Sequence, residues 1–378
     1  MLERLRGSLG RTWAMLVKEF LQLRRERTTF AMMIGVPLLQ LVLFGYAIDA
    51  NPRHLPTAVL ARDESPQARA VLAAMESSSY FDLVASAAGE AEIDDLIQSG
   101  EVTFVVDIPP HFGRDIHRGL RPQLLVIADA TDPTATGNAI AALDGIARTA
   151  LRHDRPPPAA EPAGTPFEVV VHRRYNPAME TSLNIVPGLL GTILTLTMVI
   201  FTALAVTRET ERGTMENLLA MPIRPTEVML GKIAPYVLVG AVQFTLIIGA
   251  AALLFSVPIE GSVPLLLALT TLFVVANLAV GYTFSTIARS QLQAMQMAIM
   301  FFLPSLLLSG FMFPFLGMPG WAQWLGEIFP LTHFLRVVRG IMLKDAGFDD
   351  LSQEVLALGA FALAAMIVAV ARFRRTLD

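Results

Sequence analysis

The hydropathy of this chain alternates between long apolar runs and shorter polar stretches. A bilayer core demands about 20 consecutive apolar residues, and six runs approach or exceed that length. They predict six transmembrane helices, TM1 to TM6, over residues 28–48, 181–206, 233–256, 264–288, 292–315 and 353–373. Pro37 lies inside the first run and is expected to kink that helix.

The polar stretch between the first two runs, residues 49–180, has a different pattern. Short β-rich runs alternate with helical periodicity, which is typical of a small α/β domain inserted between two spans. Asp132 followed by Pro133 predicts the start of a helix that runs toward Leu151. The proline-rich segment from Arg155 to Pro166 is expected to be a stiff linker. Strands are expected at Thr57–Ala61, Val102–Val106, Leu124–Ala128 and Phe167–Val171.

Three further segments flank the apolar runs. Residues 1–27 place basic residues opposite an apolar stripe at helical spacing, which favours an amphipathic helix at the cytoplasmic interface. Docking of that helix on the protein's own bundle fits the same pattern. Residues 316–352 are apolar but interrupted by prolines and charges, so they are expected to form re-entrant or interfacial helices on the outer side, with Trp321 and Trp324 in the aromatic belt. Residues 374–378 form a short cytoplasmic tail.

Composition supports a membrane protein. Hydrophobic residues make up 53% of the 378 residues and charged residues only 16%, whereas soluble domains are typically about 25% charged. The mean hydropathy is +0.53. A net charge of −4 gives no reason to expect a nucleic-acid partner. The absence of cysteine excludes disulfides, cysteine-ligated metals and thiol catalysis.

The distribution of charge predicts the orientation. The N-terminal segment and the C-terminal arginines are basic, and basic segments near the membrane favour the cytoplasmic side. With six spans, residues 207–232 are then expected on that side as well. Residues 51–178 of the inserted domain hold 11 arginines, no lysine and 17 acidic residues, a net charge of 11 − 17 = −6. We therefore expect both termini in the cytoplasm and the inserted domain outside it.

No catalytic constellation is visible in the sequence. Gly231-Lys232 is not a P-loop, because Thr226 stands where the first glycine belongs and Ile233 follows the lysine. Neither HExxH nor GxSxG occurs, and five of the six histidines lie in the inserted domain, where a surface role is more expected than a metal site. We expect no metal, no cofactor bound by this chain and no enzymatic activity of its own. The scarcity of ionisable residues in the spans disfavours an intramembrane enzyme or a proton-relay antiporter.

Residues 207–232 carry eight formal charges between TM2 and TM3. Unpaired charges are costly in hydrocarbon, so this segment is expected in water at a membrane face. Dense charges of both signs followed by two prolines favour a short helix and a rigid turn, which a separate motor protein could push. A solvated loop that merely joins the two spans is the alternative.

Several stretches of this sequence resemble the ABC-2 type transporter permeases, in the subgroup of bacterial multidrug-type exporters. The most specific is RETERGTMENLLAMPIRPTEVMLGKIAPY, which begins at Arg208. Agreement extends over essentially the whole chain through VVDIPPHFGRDI, ADATDPTATGN, RRYNPAMETSLNIVPGLLG, LLLSGFMFPFLGMP and FPLTHFLRVVRGIMLK.

The resemblance implies an α-helical integral membrane protein with six transmembrane helices, similar to type V exporters, and an inserted α/β extracytoplasmic domain. It implies a bacterial inner-membrane half-transporter that pairs with a second copy or a paralogue. Cytoplasmic ATP-binding subunits would carry the ATP and Mg, and a periplasmic adaptor and an outer-membrane channel are further expected partners. The coupling residues carried over are Glu209, Glu211, Arg212, Gly213, Thr214 and Glu216, with Arg224, Pro225, Glu227 and Lys232 in the turn back into TM3.

The expected function is export of amphipathic small molecules by alternating access. A lipid or polysaccharide exporter is an alternative, although such proteins usually lack so large an inserted domain, and a non-transporting sensor or scaffold is another. Candidate substrate-cavity residues mix aromatic, methionine and hydroxyl side chains on TM2 and TM5, although plain helix packing explains each of them equally well. They are Thr192, Thr195, Met198, Phe201, Thr202, Met295, Ile299, Phe302, Leu306 and Ser309.

Overall fold

A computed structural model describes residues 52–151, 165–211 and 225–375. Several predicted features lie outside these described residues. They are the interfacial helix 1–27, TM1 over 28–48, most of the proline-rich linker, the end of the tail, and the coupling residues Arg212, Gly213, Thr214, Glu216 and Arg224.

Residues 55–174 form a mixed five-stranded sheet with helices on its faces. The strands are β1 (Leu55–Ala61), β2 (Phe81–Ser86), β3 (Phe104–Ile108), β4 (Gln123–Asp129) and β5 (Glu168–Arg174), in the spatial order β2-β1-β3-β4-β5. Only the β3–β4 pair is antiparallel. The four predicted strands are confirmed within three residues at each end, whereas β2 was not predicted.

The helices of this sheet domain are α1 (Pro66–Ser77), α2 (Glu90–Ser99), α3 (Phe112–His117) and α4 (Pro133–Thr149). α1 and α4 pack on one face of the sheet, and α2 packs on the other. The Asp132 carboxylate accepts hydrogen bonds from the backbone N–H groups of Thr134 and Ala135, which confirms the predicted start of α4.

Seven helices form the second part of the protein. They are α5 (Thr181–Glu211), α6 (Pro225–Phe255), α7 (Val263–Ile287), α8 (Gln291–Leu308), α9 (Gly320–Gly326), α10 (Pro330–Lys344) and α11 (Ser352–Arg375). α7 lies at the centre of this bundle and packs against α5, α6, α10 and α11. Within the described residues, five helices are long and apolar enough to cross a membrane, namely α5, α6, α7, α8 and α11.

The predicted fifth span, residues 292–315, was too long. α8 ends at Leu308 because Gly310 has φ +82° and leaves the right-handed helical region. The Ser309 hydroxyl then accepts from the N–H of Phe311 at 3.3 Å, and Pro314 has no N–H to continue a helix.

α10 lies inside the bundle, so the interfacial arrangement, one of the two expected for residues 316–352, is wrong for this helix. Twelve of its fifteen residues are buried. Phe334 stacks on Phe273 of α7 with 4.0 Å between ring centroids, and Leu331 and Leu335 join the same core. Four residues of α10 are cationic or titratable, and they obscured the apolar pattern of this helix in the sequence.

The predicted turn from Arg224 to Lys232 was also wrong from Pro225 onward. α6 starts at Pro225, so Glu227 and Lys232 lie on a helix. Proline suits the first position of a helix, since the N–H that it lacks would have no helical partner there. α5 likewise extends past the predicted end of TM2 to Glu211.

Candidate functional site

The C-terminal end of α5 is tied to the start of α8 through Glu211. The backbone N–H of Gln291 donates to Glu211 Oε1 at 2.7 Å, and Gln291 Nε2 donates to Oε2 at 2.6 Å. These hydrogen bonds favour the ionised carboxylate and lower the pKa of Glu211, first through the Gln291 side chain and then through its backbone. Glu211 therefore connects two long apolar helices beside the charged segment.

The predicted coupling residues are distributed over two helices and the segment between them. Glu209 and Glu211 lie on α5, and Pro225, Glu227 and Lys232 lie on α6. α5 therefore ends, and α6 begins, within the charged segment. Contact of these residues with an ATPase remains a prediction.

The ten substrate-cavity candidates lie on or next to α5 and α8, which pack against each other, and they differ in burial. Thr192, Thr195, Met198 and Thr202 are buried within the bundle. The hydroxyls of the three threonines donate to backbone carbonyls three or four residues earlier on α5, so they are already satisfied.

The other candidates lie in different environments. Phe201, Met295 and Ile299 are exposed, each at about 40%, on α5 and α8. Phe302 and Leu306 are half-buried, and Ser309 is buried at the far end of α8. The exposed members face away from the core of this chain, where a second subunit or lipid could meet them.

A charged cluster that sequence reasoning missed joins α9, α10 and α11. It consists of Glu327, His333, Arg336 and Glu354. His333 Nδ1 lies 2.5 Å from Glu354 Oε2, and His333 Nε2 lies 2.9 Å from the carbonyl oxygen of Glu327. Arg336 donates to Glu327 Oε1 at 2.5 Å and to Glu354 Oε1 at 2.9 Å.

The cluster favours a protonated histidine. Burial alone would lower the pKa of His333, but hydrogen bonds to Glu354 and to the Glu327 carbonyl outweigh burial and raise it. Both partners accept, so both ring nitrogens donate. The i,i+3 spacing of His333 and Arg336, with Glu354 at the start of an apolar run, was the sequence signal that could have revealed the cluster.

No cluster of metal-ligating side chains is found among the described residues. The part of the protein that the structure describes thus combines a bundle of apolar helices, a sheet domain at one end and a charged helix junction at the other. These features define a multi-pass membrane protein. The sequence profile described as "ABC-2 family transporter protein" matches residues 27–371. The chain therefore belongs to the ABC-2 family and is a permease subunit of an ABC transporter.

Curated relatives cover nearly the same length. The chain is 32% identical over 342 residues to "Probable multidrug ABC transporter permease YbhS" of Escherichia coli, covering 89% of each chain. It is 28% identical over 368 residues to "Probable multidrug ABC transporter permease YbhR" of the same organism, covering 97% of this chain and 98% of the relative. It is 33% identical over 294 residues to "Inner membrane transport permease YhhJ" of Escherichia coli, covering 76% of each chain.

Proposed function

We propose that this permease exports amphipathic small molecules across a bacterial inner membrane, driven by a separate ATP-binding subunit that acts on residues 207–232. The observation that carries the proposal is the link between Glu211 and Gln291. Because Glu211 ends α5 and Gln291 begins α8, a displacement of the charged segment moves two long apolar helices together.

The length of α5 supports this role for the charged segment. The helix runs from Thr181 to Glu211 with Pro187 inside it, which corresponds to roughly 46 Å at 1.5 Å per residue. At its other end, Asn184 Nδ2 donates to Asp132 Oδ1 of the sheet domain at 3.3 Å. A push at Glu211 would therefore reach the sheet domain along one continuous helix.

Exposed apolar side chains support a second permease subunit, and the names of the relatives support the class of substrate. Phe201, Met295 and Ile299 lie on exposed apolar surfaces of α5 and α8, which favours a second permease subunit against them, with the substrate path between the two. Two of the relatives are named as multidrug permeases, which supports amphipathic drug-like substrates. A periplasmic adaptor and an outer-membrane channel would complete the export route.

Coupling of ATP binding to helix movement requires a physical contact between the permease and the ATP-binding subunit. ATP can shift the helices between two states only if its binding differs between those states, and the difference must pass through a physical connection. Residues 207–232 are charged, and the described helices on both sides lead directly into them. We therefore assign the contact with the ATP-binding subunit to this segment.

The test is a double charge reversal, Glu209→Arg with Arg212→Glu, in the permease co-expressed with its ATP-binding subunit. Co-purification of that subunit and efflux of the dye ethidium are measured, with membrane insertion checked by immunoblot. We expect insertion to remain normal while co-purification and efflux fall at least tenfold. Stimulation of ATP hydrolysis by dye in the reconstituted complex separates a transporter from a sensor.

A matched control reverses an unrelated exposed pair, Asp144→Arg with Arg148→Asp, on α4. Those side chains lie 2.8 Å apart and both are 67% exposed, so their reversal should leave pairing and efflux unchanged. Normal co-purification and normal efflux in the Glu209/Arg212 variant would refute the proposed contact.

A further inference from the structure

A cavity of about 410 Å³ lies between the sheet domain and the helix bundle. We call it the junction cavity. It is remote from Glu211, because it adjoins the end of α8 that is opposite to Gln291. Representative lining residues are Asp129, Asp132, Phe315, Leu335, Arg339 and Lys344. Its volume falls in the range of small-molecule sites, roughly 300 to 1,000 Å³.

Arg339 is the lining cation whose hydrogen-bonding capacity is mostly unused. Its Nε is buried and has no partner among the described residues, and Nη2 donates a long bond of 3.3 Å to the carbonyl of Gly310. A guanidinium has five N–H donors. Burial lowers the pKa of Arg339, while the charges of Asp132 and Asp129 act in the opposite direction.

The other charges around the cavity are already engaged. Lys344 Nζ lies 2.5 Å from Asp129 Oδ2, and Asp132 caps α4 while accepting from Asn184. Arg336 bonds both Glu327 and Glu354. Within the described residues, no carboxylate forms a salt bridge with Arg339, so an anion entering the cavity would meet an available guanidinium.

Part of the remaining lining, which also includes polar side chains, is an apolar wall. It is formed by Phe315, Leu316, Leu335 and Leu351. Leu316 is 37% exposed, so the apolar wall is partly open to the surroundings. A ligand that satisfies both sides of the cavity has an anionic head for Arg339 and an apolar body for this wall.

We propose that the junction cavity binds an amphiphile whose head is a phosphate or a carboxylate, with Arg339 holding the head. A planar guanidinium suits both groups, because two parallel N–H donors match two anionic oxygens. This binding site is separate from the proposed transport function, because ligand binding to the permease alone tests it without the ATP-binding subunit.

The test is calorimetric titration of the purified full chain in neutral alkyl maltoside micelles. The probes are octyl phosphate, octanol and inorganic phosphate, and titration into empty micelles corrects for partitioning. We expect octyl phosphate to bind more tightly than either of the other two. Arg339→Gln should weaken octyl phosphate binding about tenfold or more, because a charge-assisted bond is lost.

Two further variants make the result decisive. Arg148→Gln removes an exposed arginine of α4 that lies outside the cavity and should leave binding unchanged. Leu316→Glu keeps Arg339 and places a carboxylate at the apolar wall, so it should weaken octyl phosphate binding even if Arg339→Gln does not fold.

Each alternative outcome overturns the proposal. Equal affinity for inorganic phosphate would make this a free-anion site, and equal affinity for octanol would remove the role of the charge. No octyl phosphate binding would leave the cavity without such a ligand. Unchanged octyl phosphate affinity in folded Arg339→Gln, or in Leu316→Glu, would remove the assigned site.

Discussion

His333 is a buried residue of α10, and its protonation affects how α10 packs. It is 7% exposed, and its charged and titratable neighbours are Glu327, Arg336 and Glu354. Because the folded-state pKa is raised above the ordinary value of about 6.5, folding favours the imidazolium. The stability that this provides is fully present below the unfolded-state pKa and is lost as pH rises through the folded-state pKa.

We therefore predict that the thermal unfolding midpoint of the purified protein falls between pH 6 and pH 8.5, and that His333→Gln flattens this dependence. At pH 6 the variant should lose about 2 kcal/mol, since a buried charge-assisted hydrogen bond is removed. His172→Gln is the matched control, because His172 is exposed on β5. An unchanged pH profile in His333→Gln would contradict the assignment.

At the scale of elements, the close packing of α5 against α7 depends on Gly281. A Cβ built on Gly281 would lie 2.5 Å from the backbone oxygen of Val199 and 3.1 Å from Thr202 Cβ. The neighbour is backbone and cannot move aside like a flexible side chain. Small residues at such positions let helices approach closely in membranes.

Gly281→Ala is predicted to destabilise the bundle by about 2 kcal/mol, because the overpacked helices must separate. Gly249→Ala on α6 is its control, since a Cβ there meets nothing within 4 Å and alanine favours helix by about 1 kcal/mol. Thermal unfolding in detergent micelles should therefore shift in opposite directions for the two variants. A shift in the same direction would mean that the contact with Val199 is not limiting.

Prediction from sequence succeeded where the signal is local. The Asp132-Pro133 start of α4 and four strands were predicted, because helix N-caps and the apolar alternation of strands depend on residues that are close together in the sequence. β2 was missed since only Phe81 is fully buried in this edge strand. The burial of α10 and the pairing of His333 and Arg336 with Glu354 depend on contacts between segments that are distant in the sequence, so the local spacing of His333 and Arg336 shows only part of the cluster.

At the scale of the whole molecule, polar contacts around Lys344 hold the sheet domain on the helix bundle. Lys344 at the end of α10 donates to Asp129 Oδ2 at 2.5 Å and to the carbonyl of Ile97 at 3.1 Å. Gln98 Nε2 donates to the carbonyls of Lys344 and Asp345. The sheet domain therefore docks through a compact group of polar contacts, and a movement of the bundle would carry the domain with it.

Lys344→Met should open this junction, since the Asp129 side chain, only 12% exposed, would lose its cation. Breaking a buried ion pair from one side costs about 3 kcal/mol or more. Backbone amides of residues 96–100 and 129–131 should then exchange hydrogen for deuterium faster, by roughly 100-fold if the loss reaches that size. Lys344→Met combined with Asp129→Asn leaves no unpaired charge and should recover much of the protection. Exchange at the wild-type rate in Lys344→Met would mean that the ion pair does not hold the junction, and that the sheet domain is docked by the remaining contacts of α2 and α4.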